Sequence, residues 1–425
     1  MIERYLGNKS SIINHIMKEV DKLCNKGDYV CDIFSGTLSV SINLKKSGYR
    51  VISNDINRFS YCFGRSHLIA NNIPKIDFES LGIDYNLYAE NAIAKVKLIE
   101  KGVGYNFLND KKEENSYVDL IVLLTYLDSI SEKDIDPEHR KSFFFDYYTE
   151  EGKYSKFVSQ RGSEGNRKFF TPSNGSKIDL YLNKIREWHK NNLLLDDLYY
   201  LLLSTISESV EKVSNTQGTF HDFPRTKYDS RAFKKLELRA PKFDNILSDI
   251  DGHILGKERD SMEFIKEVPS HKLLYIDPPY NFRQYTSYYF MLNLICDYCE
   301  IPDLNKYFNE VKYVRGQNMD KNFISSFCKN SEFISSLQKL IENADTEWIV
   351  MSYFNGRNHK SATAGDKGTI LNELEQFFQT DLFESNSLKI KPIKRKNYQS
   401  YGGHKALEVN ELLYIVKKRM KDEMV

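Results

Sequence analysis

Eight consecutive residues constrain this chain more than any others: Leu274-Tyr275-Ile276-Asp277-Pro278-Pro279-Tyr280-Asn281. A short apolar run ends in one acid and two prolines, and proline cannot donate to a strand ladder. A buried strand must therefore stop there, with Asp277 at its carboxyl end. That end is where open α/β sheets bind their ligands.

The order of residue types suits one chemistry. The exocyclic amine of a nucleobase is a poor nucleophile because its lone pair is delocalised into the ring. Two acceptors, the Asp277 carboxylate and the Pro278 carbonyl, can take both amine hydrogens, localise the lone pair and aim it at an electrophile. Pro278 and Pro279 stiffen the backbone that carries the carbonyl, and Tyr280 offers a ring on which a base can stack. A strand-ending turn with a buried tyrosine fits the same tetrapeptide taken alone.

Upstream, residues 29–34 (Tyr-Val-Cys-Asp-Ile-Phe) read as a buried strand, Ser35-Gly36-Thr37 as a turn, and the residues through Leu44 and Lys46 as a helix. A second strand over residues 49–53 ends at Asn54-Asp55. Strand, glycine turn, helix, strand and terminal acid make the front half of a nucleoside-binding βαβ unit. Before it, Arg4-Tyr5-Leu6-Gly7-Asn8-Lys9 leads into an amphipathic run over residues 10–23, where a ring and a cation can bracket a small ligand.

Asp277-Pro278-Pro279-Tyr280 resembles the catalytic motif of amino-directed DNA methyltransferases in its adenine-N6 form, and the chain as a whole resembles the D12, Dam-like and FokI-type, adenine-specific enzymes. The resemblance implies an α/β fold, a Rossmann-like S-adenosylmethionine-dependent methyltransferase sheet with a large, mostly helical inserted target-recognition region. Residues 1–67 and 244–425 would form the catalytic domain and residues 68–243 the insertion. S-adenosylmethionine would be the cofactor, contacted by Tyr5, Lys9, Asp32, Phe34, Gly36, Asp55 and Asp260. The pattern departs from the family's Phe-x-Gly-x-Gly at one place, where Leu38 replaces the second glycine. That substitution leaves the tightness of the cofactor cradle open.

Residues 153–174 are polar, glycine-rich and basic, with Tyr154, Phe157, Arg161, Arg167, Lys168, Phe169 and Phe170 interleaved. Cations alternating with rings suit a phosphate backbone flanked by stackable bases, and a solvated loop fits the composition too. Residues 115–135 and 178–213 read as buried helices. The stretch from Ser214 to Phe220 resembles the Asn-Thr-x-Gly-Thr segment of the FokI-type enzymes. Asn215 is therefore counted with Arg161, Arg167, Lys168, Arg283 and Tyr285 as the expected DNA contacts. Arg283-Gln284-Tyr285, leading into an aromatic helix over residues 287–298, reads as a lid over the flipped base.

The net charge of +1 over 425 residues neither supports nor excludes a nucleic-acid partner, so such a site must come from local clustering. Of six cysteines only Cys296 and Cys299 have CxxC spacing, and without a second pair no metal is expected. Pro302-Asp303 with Glu310-Val311-Lys312 spells a nuclease constellation, but Leu304, Phe308 and Val311 fall at helical spacing, which suits no such site. No apolar run of membrane length and no signal peptide is visible, so a cytoplasmic protein of bacterial, phage or plasmid origin is expected.

The function implied is site-specific methylation of adenine N6 in double-stranded DNA, as the modification half of a type II restriction-modification pair with a separately encoded endonuclease. Rival readings are an orphan regulatory or RNA adenine methyltransferase and a non-catalytic DNA-binding protein. Strand candidates at residues 348–353 and 411–416, with a basic segment over 390–399 and a Tyr401-Gly402-Gly403 turn, complete the expected sheet with an antiparallel hairpin.

Overall fold

The computed structural model describes residues 2, 4–103, 114–160, 162–224, 226–279, 284–355, 369–396 and 408–419. Its strands are β1 (Tyr29–Asp32), β2 (Arg50–Ser53), β3 (Lys156–Val158), β4 (Glu164–Asn166), β5 (Ile254–Leu255), β6 (His271–Ile276), β7 (Thr346–Asn355), β8 (Lys389–Lys396) and β9 (Glu408–Lys417). The chain divides into two compact units. One comprises Glu3–Gly64, Ser248–Tyr288 and Asn322–Val425, and the other Met1–Ile2, Arg65–Leu247 and Tyr289–Lys321.

The first unit carries the expected Rossmann-like sheet, seven strands in the order β5-β2-β1-β6-β7-β9-β8. β5, β2, β1, β6 and β7 run parallel, and β9 runs antiparallel to both β7 and β8. From β1 the chain winds outward through β2 to β5, then returns to lay β6 on the other side of β1. The winding direction thus reverses between β1 and β6, and the crevice at their carboxyl ends is the natural ligand site. The Tyr401-Gly402-Gly403 turn lies outside the described residues.

Both sheet faces are covered, as a parallel sheet requires. Cys31, Leu274, Ile276, Ile349, Met351 and Tyr414 pack on one face against Phe333, Leu337, Leu340 and Ile341 of the helix Phe333–Asn343. The opposite face carries Val30, Val51, Leu273 and Tyr275, all buried, against the helices Ile13–Leu23 and Ser39–Lys46. The expected terminal stop of β6 is there: regular pairing ends at Ile276, one residue before Asp277.

Leu38 answers the question raised by the missing glycine. It adopts the left-handed conformation, φ 59° and ψ 22°, at the N-cap of the helix Ser39–Lys46. A leucine there costs about 1–2 kcal/mol in backbone energy. Its side chain is 1% exposed, and burial of that size returns about 1.5–3 kcal/mol. The turn therefore keeps the backbone path a glycine would give while anchoring it in the core.

The second unit is built mainly on the helices Tyr85–Val103, Glu114–Ser129, Pro172–Lys190 and Asp196–Val213. Two expectations are corrected here. The aromatic helix, found as Tyr285–Tyr288 and Phe290–Asp297, is split between the units: Phe290, Met291, Leu294, Ile295 and Cys296 are buried in the helical unit, where Phe290 meets Tyr148 and Phe169. It serves as core there, because apolar residues crowd all its sides. The polar run over residues 153–174 contains the β3-β4 hairpin, and its Phe157, Phe169 and Phe170 are buried.

Candidate active site

A cavity opens at the carboxyl ends of β1 and β6, within the sheet unit. Its walls include Tyr5, Lys9, Asp32, Phe34, Gly36, Asp55, Asp260, Asp277, Pro278, Pro279 and Tyr285. Residues picked from five separate sequence stretches thus meet in one place. Tyr280 and Arg283 lie outside the described residues.

Gly36 sits at φ +51°, and a Cβ added there would come 3.0 Å from the Tyr5 ring. Any side chain would therefore be strained and would push that ring away. The Gly36 amide donates to Asp55 Oδ2 at 2.9 Å, and Asp55 Oδ1 accepts from the Asn57 backbone amide and Nδ2, each at 2.9 Å. Burial raises the Asp55 carboxyl above its ordinary value, against these hydrogen bonds. At the end of β1, Asp32 is 1% exposed and its Oδ2 accepts from Ser41 Oγ at 2.7 Å and Ser41 N at 3.1 Å. Burial, with Asp277 nearby, pushes its carboxyl up to about 7.

Asp260 caps the short helix Ser261–Phe264, accepting from Met262 N at 2.9 Å, and also lines the cavity. The Tyr285 ring lies beside that of Tyr5, with centroids 5.9 Å apart, next to the entrance segment from Arg4 to Lys9.

Lys9 is the least expected finding. It is 4% exposed, and its Nζ lies 2.9 Å from Asp277 Oδ1 and 2.7 Å from Glu411 Oε1. Its ammonium is committed to two carboxylates, so it acts on the acid of the motif directly. Burial would strip its proton, but Asp277 and Glu411 hold it firmly charged. Burial pushes Asp277 up to about 6, with Lys9 pulling down and Glu411 pushing up. Glu411 is held down to about 2, because Lys9 and Arg395 outweigh its desolvation. Two carboxylates share one cation, and a proton arriving at the cluster goes to Asp277.

Sequence reasoning passed over Glu411, Ser352 and Arg395. The signal was present in β9, where Val409, Glu411, Leu413 and Ile415 share one face and all are buried. A charge within an apolar alternation marks a residue with a partner.

The expected DNA contacts divide differently. Arg167 is 2% exposed, and its guanidinium donates to the carbonyls of Val314, Tyr313 and Tyr154 at 2.9–3.0 Å. Asn215 is fully buried, with Nδ2 on the Lys168 carbonyl and Oδ1 accepting from Asp229 N. Neither side chain faces solvent, so both are corrected from DNA contacts to internal ties. Lys168 pairs with Glu150 at 3.1 Å, and Arg161 lies outside the described residues. Asp303 caps the helix Leu304–Asn309, which leaves no paired strands for the nuclease constellation. Cys296 and Cys299 are buried thiols, and no group of metal-holding side chains occurs among the described residues. No helix among them is long and apolar enough to cross a membrane.

The model of the D12 class N6 adenine-specific DNA methyltransferases matches residues 5–340. The chain is 26% identical over 417 residues to the type II methyltransferase M.NlaIII of Neisseria lactamica, covering 97% of this chain and 99% of that one. It is also 26% identical to the modification methylase StsI of Streptococcus sanguinis and to the type II methyltransferase M.FokI of Planomicrobium okeanokoites. Each of these alignments covers 98% of this chain and 52% of the relative, so the chain spans about half the length of those two.

Proposed function

The chain belongs to the D12 class N6 adenine-specific DNA methyltransferases, and from that premise we propose that the cavity at the ends of β1 and β6 is where the methyl group is transferred, with Asp277 and Pro278 gripping the target amine. The observation that carries this reading is the placement of Asp277 in one cavity with Tyr5, Gly36 and Asp55.

S-adenosylmethionine, the methyl donor of methyltransferases in general, supplies an electrophilic methyl on a sulfonium. The residues fit such a group. Gly36 lets the Tyr5 ring lie against the turn where a Cβ would push it away, and four carboxylates, Asp32, Asp55, Asp260 and Asp277, line the cavity against two cations, Lys9 and Arg259. That excess of negative charge favours a cationic ligand. Tyr5, Phe34, Gly36, Asp55 and Asp260 would hold it, with Asp55 on the ribose hydroxyls.

The chain's own part of the reaction is positioning. The Asp277 carboxylate and the Pro278 carbonyl accept the two N6 hydrogens, so the nitrogen lone pair points across the cavity. Lys9 keeps Asp277 ionised and fixes its orientation, since the ammonium holds Oδ1. The N6 proton becomes acidic only as the new bond forms, so Asp277 serves first as an acceptor and takes the proton afterwards. The adenine must leave the duplex to enter, at a cost of a few kcal/mol offset by stacking, for which the sequence supplies Tyr280.

We assign sequence recognition to the inserted region, residues 68–243, and the biological role to modification within a restriction-modification pair. The names of the NlaIII, StsI and FokI enzymes support that role. The test is Asp277→Ala. Methyl transfer from tritiated S-adenosylmethionine to plasmid DNA from a methylation-free host is expected to disappear while the donor still binds; a rate within about tenfold of wild type would count against the reading. Single-molecule sequencing of plasmid grown with the gene is expected to show N6-methyladenine in one short motif, and cleavage at that motif in extracts of the native host would establish the endonuclease.

A further inference from the structure

Glu411 lies beyond residue 340, where the family match ends, yet it is tied to the centre of the site. Its carboxylate is fully buried and accepts three donors: Lys9 Nζ at 2.7 Å and Ser352 Oγ at 2.7 Å on Oε1, and Arg395 Nε at 2.8 Å on Oε2. Lys9 reaches Asp277 from this support. The donors come from the entrance segment, β7 and β8, so β9 gathers three parts of the sheet unit onto one carboxylate.

A purely structural explanation fits poorly. β9 is buried on both faces from Glu411 to Val416, and Glu411 stands on the face of Val409, Leu413 and Ile415, where another aliphatic would fit the pattern. Burying a carboxylate there brings no gain in stability over a packed hydrocarbon side chain. What it does give is a lysine whose ammonium cannot swing away from Asp277, because its second ligand is itself fixed by Ser352 and Arg395.

We propose that Glu411 is a positioning residue for methyl transfer: by clamping Lys9, it sets the orientation and charge of the Asp277 carboxylate that grips the target amine. It touches neither substrate nor cofactor, and the inference rests on the role of Asp277 proposed above. The charged and titratable groups acting on Asp277 are Lys9 from the entrance segment, Glu411 from β9, Arg395 from β8, Tyr275 from β6 and Asp32 from β1. Of these only Glu411 both repels Asp277 and anchors its cation.

Glu411→Gln tests this, because it keeps shape and removes charge. S-adenosylmethionine binding is expected to stay within about twofold, while kcat at pH 8 falls roughly 10- to 100-fold as the lysine loosens. The acidic limb of the kcat profile is expected to move by about half a unit or more, since both the repelling charge and the hold on the lysine change together. An unmoved limb with kcat within about twofold of wild type would overturn the proposal. Should that variant not fold, Lys9→Met/Glu411→Leu replaces the buried pair by hydrocarbon. Its limb is expected to move to higher pH, because Asp277 then lacks a cation, and an unmoved limb there would equally overturn it. Asp277→Ala separates the two claims: if it retains transfer, the reading of the site fails, whereas an active site dependent on Asp277 but indifferent to Glu411 sinks only the clamp.

Discussion

The two units differ in how their most elaborately held charges are buried. In the helical unit, three of them end on backbone. Arg186 donates to the carbonyls of Tyr298, Cys299 and Ile301 at 2.7–3.0 Å, Arg167 ties three further carbonyls, and Asp179 accepts the Phe144 and Phe145 amides at 2.8 Å. In the sheet unit, charges end on one another: Lys9, Asp277, Glu411 and Arg395 form a chain that reaches the cavity. Side chains bound to backbone are spent on holding irregular segments in place. The chain of charges in the sheet unit ends on Asp277, a carboxylate that titrates at the wall of the cavity.

The comparison can be broken most sharply by pH. With the Asp277 carboxyl pushed up to about 6, methyl transfer is expected to fall about tenfold for each unit below pH 6 and to level off above it. A profile flat down to pH 5 would mean that Asp277 does not need its charge. Next, Arg186→Met should lower the stability of the fold by about 3–5 kcal/mol in urea unfolding, since several buried carbonyls lose their donor together. A loss below 1 kcal/mol would show that backbone ties are not what the helical unit depends on.

Asp32→Asn sharpens the contrast from the other side. A carboxyl that titrates near 3.8 outside the fold and at about 7 inside it favours the protonated form when folded, so its contribution to stability declines as pH rises through that interval. Asparagine can accept the same Ser41 bonds without the charge, so the variant is expected to be more stable than wild type by about 1–4 kcal/mol at pH 8 and equal to it near pH 3.5. Thermal melts at both values decide it. The smallest effect is expected at Lys168, whose pair with the half-exposed Glu150 lies at the solvent boundary: Lys168→Ala should change stability by under about 1 kcal/mol.

The sheet was legible where short apolar runs met a stop. Residues 29–31 and 273–276 announce buried strands because nothing in them is charged before Asp32 and Asp277, and the prolines leave only one place for β6 to end. Leu38 was legible as a departure but not as a solution, since its burial depends on packing from beyond its neighbours. The basic and aromatic run over residues 153–174 misled because composition does not say which way a side chain points. Arg167 and Phe169 belong to a short hairpin and its surroundings, where carbonyls from residues 313–314 wait for a donor. Lys9 was read as a contact to the cofactor, whereas its ammonium sits on Asp277 and Glu411, and Glu411 lies 402 residues away in the chain, a separation no local pattern can span.

That separation has a consequence for synthesis. During translation Lys9 emerges 402 residues ahead of Glu411, so the nascent polypeptide holds the cluster around Asp277 half-made until β9 has been added. Closing so long a loop adds little entropy beyond a shorter one, but it orders events in time: DNA near the ribosome meets no active enzyme until β9 has threaded between its neighbours.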